Sequence, residues 1–213
     1  MTIAGVHFQI ERTSRMQTLQ IIVSSTRDGR SGHRVGEWFL GQARAHGKFD
    51  VELVDLADVN LPLLDEPRHP RFAQYEYSHT KAWSEIVSRA DAYVFVTPEY
   101  DHAPPASLMN ALQFLSPEWA YKAAGFVSYG GVSAGTRGVQ VTKQVLTALK
   151  VMPMPETVAI PFFAQYIDKA TGAFDPGPAQ AQPVTAMLDE LLKWSTALQP
   201  LRAPRPAKLV SAA

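Results

Sequence analysis

The chain has 213 residues, 46% hydrophobic and 19% charged, a length and balance that suit one domain with a sizeable core and argue against wholesale disorder. Twenty Lys and Arg are matched by twenty Asp and Glu, so there is no basic excess for nucleic acid or an anionic membrane surface. Without cysteine there are no disulfides, thiolate metal sites or cysteine nucleophiles, and no apolar run reaches the length of a membrane span.

Residues 1–17 contain Glu11, Arg12 and Arg15 but no continuous apolar stretch. They read as a frayed arm rather than a signal peptide, which makes the cytoplasm the expected location. Residues 19–24 are short and β-rich, with Ile21, Ile22 and Val23 adjacent, as in a central parallel strand. From Ser31 the apolar positions Val35, Trp38, Phe39 and Ala43 recur at helical spacing, and Gly47 suits a C-cap. A second strand follows at 51–55. Residues 60–77, with three prolines and little periodicity, read as a long loop whose Phe72, Tyr75 and Tyr77 need something to pack on. Trp83, Ile86, Val87 and Ala90 mark a helix, and residues 92–97 (AYVFVT) a strand that Pro98 ends. Leu108, Ala111, Leu112 and Leu115 share a helix face. Residues 123–128 form a fourth strand, residues 139–149 a helix, 156–160 a fifth strand, 162–178 a loop, and 184–198 the last helix. Past Pro200, residues 201–213 are expected to be a flexible tail, leaving one domain over 18–200. Strand and helix alternate five times, which argues for a parallel sheet covered on both faces, with ligands at the carboxyl ends of its strands.

Three loops leave those ends. In the first, Ser25, Thr26 and Ser31 offer hydroxyls, and Gly29 and Gly32 permit close backbone approach. Arg27 and Arg30 add guanidinium forks that match phosphate oxygens at a helix start. A solvated loop with Ser31 as N-cap is the plain alternative; the position at the end of the first strand favours a ligand. Neither the Gly-Lys-Ser/Thr ending of a Walker loop nor a G-x-G-x-x-G triplet is present, which disfavours an ATPase or a dinucleotide Rossmann domain. In the second loop, Pro98 should turn the chain and free neighbouring backbone groups to read a heterocycle edge. Glu99, Asp101 and His102 lack any nucleophile to serve, so ordinary turn chemistry is the better reading for them. In the third, Ser128, Tyr129, Gly130 and Gly131 let a flat ligand approach the backbone; Tyr129 is either core or a stacking ring, and Ser133 a possible cap. The six histidines show no metal spacing, no metal site is expected, and the G-x-S-x-G elbow of serine hydrolases is absent.

As a set, Ser25-Thr26-Arg27-x-Gly29-Arg30-x-Gly32-x-x-Val35-x-x-Trp38 resembles the phosphate loop and first helix of the NADPH-dependent FMN reductase family. Thr97-Pro98-Glu99-Tyr100 with Pro105 and Asn110-Ala111-Leu112 is similar to that family's flavin-edge motif, and Ser128-Tyr129-Gly130-Gly131 with Gly135 to its glycine-rich third loop. The resemblance spans about residues 19–160. It implies a flavodoxin-like α/β fold, a three-layer sandwich with a five-stranded parallel sheet of order 2-1-3-4-5. It implies that Ser25, Thr26, Arg27 and Arg30, with Ser31 beside them, hold the FMN phosphate. Pro98, Glu99 and Tyr100 would border the isoalloxazine through backbone groups, and Ser128, Tyr129, Gly130 and Gly131 would close its other side.

The same resemblance implies FMN as cofactor and NADPH or NADH as donor, with hydride passing to flavin N5 and electrons then to free flavin or a quinone. No catalytic side chain is required, because the flavin carries the chemistry. A quinone, azo, xenobiotic or metal-ion reductase on the same site is an alternative, and a non-enzymatic electron carrier or regulatory module another. Members are commonly dimers or dimers of dimers, so a homodimer or homotetramer is expected, with the long loop reaching a neighbour's site. Ser24 stands where glycine is usual, Asp28 where proline is frequent, Gln113 where aspartate is frequent, and Asp101 where asparagine is usual. Ionised aspartate only accepts hydrogen bonds, so Asp101 facing a flavin carbonyl would weaken binding or alter the potential.

Overall fold

The computed structural model describes residues 15–202. The expected arm over 1–17 and tail over 201–213 lie outside the described residues except at 15–17 and 201–202.

Five strands, β1 (Gln17–Val23), β2 (Phe49–Asp55), β3 (Ala92–Pro98), β4 (Ala123–Tyr129) and β5 (Met152–Ile160), form one sheet. All pair in parallel in the order β2-β1-β3-β4-β5, as expected. The helices are α1 (Gly32–His46), α2 (Leu56–Val59), α3 (Ser78–Ser88), α4 (Ala106–Gln113), α5 (Thr136–Ala148) and α6 (Pro178–Leu198).

Because strand residues alternate faces, β1 serves two cores at once. Leu19, Ile21 and Val23 pack with Val35 and Phe39 of α1 and with Val184, Met187 and Leu191 of α6. Ile22, with Tyr93 and Phe95 of β3, packs with Trp83 of α3, Leu108 and Leu112 of α4 and Val139 of α5. In this second core Trp83 and Trp119 are fully buried. Each still satisfies its indole N–H, donating to the Ala111 carbonyl at 2.9 Å and the Leu112 carbonyl at 3.1 Å. Gly47 ends α1 in the left-handed conformation, with φ 75°.

Three elements depart from the reading of the sequence. Strand β5 starts at Met152, four residues before the expected position, and carries Pro153 and Pro155; it is an edge strand, where a missing N–H can face away from the ladder. Helix α6 starts at Pro178 and holds Pro183 within its second turn, close to the end where helices tolerate proline. Strand β3 ends at Pro98, its last residue, opposite Tyr129, as expected. The long loop is preceded by the single-turn α2, capped by the Asp55 carboxylate accepting from the Ala57 N–H at 3.0 Å. No helix among the described residues is long and apolar enough to cross a membrane.

Candidate functional site

The first, second and third loops all emerge at the carboxyl edge of the sheet, after β1, β3 and β4. The crossover direction reverses between β1 and β3, which opens a crevice there. Two clefts meet at Thr26. One, of about 260 Å³, is lined by Leu56, Ala57, Asn60, Leu61, Ser107 and Asn110. The other, of about 740 Å³, is lined by Arg27, Gly29, Arg30, His33, Arg34 and Asp55.

The first loop is anchored at its root and open at its crest. Ser24 is fully buried; its backbone N–H and its hydroxyl both donate to the Val96 carbonyl at 3.0 Å, which stitches β1 to β3. Its own carbonyl accepts from Ser107 Oγ at 2.5 Å, tying the loop to α4. This accounts for a serine in place of glycine. Beyond it, the Arg30 N–H donates to the Arg27 carbonyl at 3.3 Å. The N–H groups of Ser25, Thr26, Arg27, Ser31, Gly32 and His33 have no protein acceptor among the described residues. Ser31 sits at the N-cap of α1 but its hydroxyl makes no capping bond, so the plain reading of it as a side-chain cap does not hold.

The two arginines differ. Arg30 is tied to Asp55 at the end of β2 at 2.8 Å, both largely buried. Arg27 has no carboxylate partner among the described residues; its guanidinium lies 6.0 Å from the Tyr100 ring centroid, bringing the first and second loops together. Nothing in the structure explains Asp28, which is exposed.

In the second loop, Tyr100 and Ala103 exchange both backbone hydrogen bonds at 2.9 Å, closing a two-residue turn. Asp101 and His102 occupy it with φ 48° and 68°, the left-handed geometry of a type I′ turn, which Asn, Asp and Gly favour. Both are exposed, and their N–H groups have no protein acceptor among the described residues. Glu99 has a different task. Its carboxylate, 6% exposed, accepts from the N–H groups of Arg137 and Gly138 at 3.0 and 3.4 Å and from Ser133 Oγ at 3.3 Å. It also forms an ion pair with the Arg137 guanidinium, whose Nε donates at 2.6 Å. It therefore caps α5 and locks the third loop to the second. Burial opposes its ionisation, but the bonds from Arg137 and Gly138 prevail and hold the carboxyl below its usual value.

In the third loop, Gly135 has φ 78°, and a Cβ there would lie 2.9 Å from the Tyr129 carbonyl, so only glycine fits. Ser133 bonds Glu99 rather than capping, and Gly135 takes the N-cap position. Tyr129 is 97% buried and Ser128 fully buried. The Tyr129 ring meets Phe163 edge-on at 5.0 Å between centroids, and its hydroxyl reaches Ser25 Oγ at 3.3 Å, so its ring is core and not a free stacking face. The N–H groups of Gly131 and Val132 remain without protein acceptors among the described residues.

The donor set fits a phosphate monoester with a flat ring beyond it: orphan N–H groups and a guanidinium without a carboxylate partner among the described residues at the α1 N-terminus, then two backbone-lined loops. Three contributors were hidden from the sequence. Ser107 holds the first loop; Arg137 and Gly138 meet Glu99 from 38 and 39 positions away. Asn110, quoted only as part of a motif, pins the long loop: Oδ1 accepts from the Leu64 N–H at 2.9 Å and Nδ2 donates to the Pro62 carbonyl at 2.6 Å.

Fold and loops together are those of a flavodoxin-like flavin oxidoreductase. The family model for NADPH-dependent FMN reductase matches residues 18–165, and the chain belongs to that family. It is 38% identical over 142 residues to an NAD(P)H-dependent FMN reductase of Schizosaccharomyces pombe, covering 66% of this chain and 70% of that one. It is 30% identical over 155 residues to the NAD(P)H-dependent FMN reductase ntnL of a Nectria species, covering 70% and 77%. The fold superposes on the flavoenzyme NAD(P)H:(acceptor) oxidoreductase FerB of Paracoccus denitrificans with TM-score 0.67 at 19% identity, over 85% of this chain and 98% of that one, a likeness of fold.

Proposed function

We propose that the chain holds FMN across its three loops and uses NAD(P)H to reduce it, passing the electrons to a second acceptor such as free flavin or a quinone. The observation that carries this is the α1 N-terminus: a run of N–H groups without protein acceptors, flanked by an arginine without a carboxylate partner. Bound FMN would supply the hydride chemistry itself. The protein's share is position and charge. Ser25, Thr26, Arg27 and Ser31 take the phosphate, with Arg30 adding charge while it braces the loop on Asp55. The N–H groups of Asp101, His102, Gly131 and Val132 supply donors toward the ring, where they would stabilise negative charge on its reduced form. Glu99 keeps those two loops in register.

An apolar, planar second substrate is favoured by the rim of the third loop. Val132 is 80% exposed and Phe162 56% exposed, and the Phe162 N–H donates to the Gly131 carbonyl at 3.1 Å. The homodimer or homotetramer proposed for the chain draws support from the long loop, which leaves Leu63 82% and Phe72 54% exposed.

The test is direct. Purified protein supplied with FMN should show a bound-flavin spectrum and oxidise NADPH or NADH when free FMN or a quinone is added. Protein that neither binds FMN nor oxidises either nicotinamide would sink the proposal. Tight FMN binding without reduction by either nicotinamide would favour an electron carrier instead.

A further inference from the structure

Arg34 lies on α1 beyond the first loop, partly buried, and lines the larger cleft. Its guanidinium packs against the chain at Gly172, where a Cβ would lie 3.3 Å from Nη2 and 3.5 Å from Nε. Among the described residues it has neither a carboxylate partner nor a hydrogen bond. A guanidinium carries donors only, so one held in a cleft with none of them spent calls for an anion. The phosphate of FMN is already provided for by Arg27 and by the N–H groups that lead into α1. The cleft, of about 740 Å³, has room for a nucleoside beside a phosphate, and Leu53, 38% exposed, gives it an apolar wall. Glu37 and Asp58 line it too; carboxylates only accept, so they suit the hydroxyl and amino groups of a nucleoside.

A continuous wall joins this cleft to the loop that borders the flavin ring. After β5 the chain turns onto the third loop, where the Phe162 and Phe163 N–H groups donate to the Gly131 and Gly130 carbonyls at 3.1 and 3.2 Å. It then folds into a hairpin: the Asp168 N–H donates to the Ala173 carbonyl, and the Gly172 N–H to the Asp168 carbonyl, both at 2.8 Å. Gly172 meets Arg34, and Phe174 meets Trp38 of α1 edge-on at 5.9 Å between centroids. A ligand that touches the ring with one end and carries an anion near the other can follow this wall. NADPH is such a ligand, and NADH lacks that anion, the 2′-phosphate of the adenosine. We propose that Arg34 binds the adenosine 2′-phosphate of NADPH and so selects NADPH over NADH as the donor, an inference that rests on the flavin reading above. The guanidinium fork matches phosphate oxygens in two parallel bonds.

The full-length chain, saturated with FMN, is titrated calorimetrically with 2′,5′-ADP, which carries the 2′-phosphate, and with 5′-AMP, which lacks it. Arg34→Ala is expected to weaken 2′,5′-ADP about ten-fold and to leave the affinities for 5′-AMP and FMN unchanged. KM for NADPH should rise by a similar factor, with KM for NADH and both kcat values unchanged. Where 2′,5′-ADP binds too weakly to titrate, the two KM values decide by themselves. Weaker FMN binding in Arg34→Ala assigns the arginine to the flavin phosphate instead, equal losses for NADPH and NADH make it a general support of the cleft, and no change in either leaves it a solvated side chain. Each of these overturns the role, and so does a wild type that prefers NADH. Arg34→Gln, which keeps the stem against Gly172, gives the same reading should Arg34→Ala fold poorly. A wild-type chain that binds no FMN overturns the flavin reading and this one with it, whereas the other adverse outcomes overturn only the role of Arg34.

Discussion

Arg27 and Arg30 look equivalent in the sequence, but their partners divide the work between them. Arg30 is held by Asp55 in a pair that is mostly out of water, so it braces the loop against β2 whether or not an anion is present. Arg27 is exposed and leans toward the Tyr100 ring without a carboxylate partner among the described residues. Arg27→Ala is therefore expected to weaken FMN binding by about 1.5–3 kcal/mol, the range for a charge-assisted bond, with the melting temperature unchanged. Arg30→Ala should weaken binding and lower the melting temperature together; flavin titration and thermal unfolding on both variants check the split. Asp101 allows a similar separation. Asparagine is as well suited as aspartate to a left-handed turn position, so Asp101→Asn should leave stability alone and tighten flavin binding by removing a negative charge beside the site. An unchanged FMN dissociation constant would show that the side chain faces solvent only. The motifs were legible as residue types because strand-end loops are local. What each side chain bonds to was not: Ser24, flagged only as a departure, proves to be a strand-to-strand stitch.

At the scale of elements, the five strands and the five longer helices were readable from apolar runs and helical spacing, whereas the sheet order followed from the family resemblance. Two of the three departures fall where proline chemistry depends on context. Pro153, Pro155 and Pro183 each sit in an element that a local rule would end, and only edge position or closeness to a helix start permits them. The joining of the second and third loops was invisible for another reason: Glu99 meets Arg137 and Gly138 only after β4 and the third loop are in place. That junction gives a pH prediction. An unfolded glutamate titrates near 4.5, and the folded Glu99 lies below it. The stabilisation it supplies is thus complete above about pH 4.5 and is lost as pH falls through the depressed value. Flavin affinity should drop along that acid limb as the two loops come apart. Glu99→Gln, which keeps the shape and loses the charge, should bind flavin more weakly at neutral pH and show a flatter acid limb than the wild type. Comparing the two proteins removes the contribution of the FMN phosphate, whose own second ionisation falls near pH 6 in both. Identical acid limbs would show that the carboxylate does not hold the loops.

Across the sheet, the candidate site and a buried ion pair lie at opposite ends of the strands. The three candidate loops follow the carboxyl ends of β1, β3 and β4, whereas the amino ends gather around Asp91, just before β3. Its carboxylate accepts from the Thr18 N–H at 2.9 Å and from Arg202 at 2.9 Å, with both charged side chains only 12% exposed. Arg202 also donates to the Ser195 and Tyr121 carbonyls at 2.8 and 3.0 Å, so one guanidinium joins the end of α6, the start of β3 and the approach to β4. Removing one member of such a buried pair leaves a charge with less compensation, at a cost of about 3 kcal/mol or more. A seven-residue strand separates this cluster from the loops by about 20 Å, well beyond the range over which substitutions usually interact. Arg202→Ala is therefore expected to lower the denaturant midpoint substantially while leaving the FMN dissociation constant of the folded protein within about two-fold. Combined with Arg27→Ala, the losses should simply add: stability from one edge, affinity from the other. Weakened FMN binding in Arg202→Ala alone, at a denaturant concentration where it is fully folded, would show that the sheet transmits strain from its amino edge to the phosphate loop.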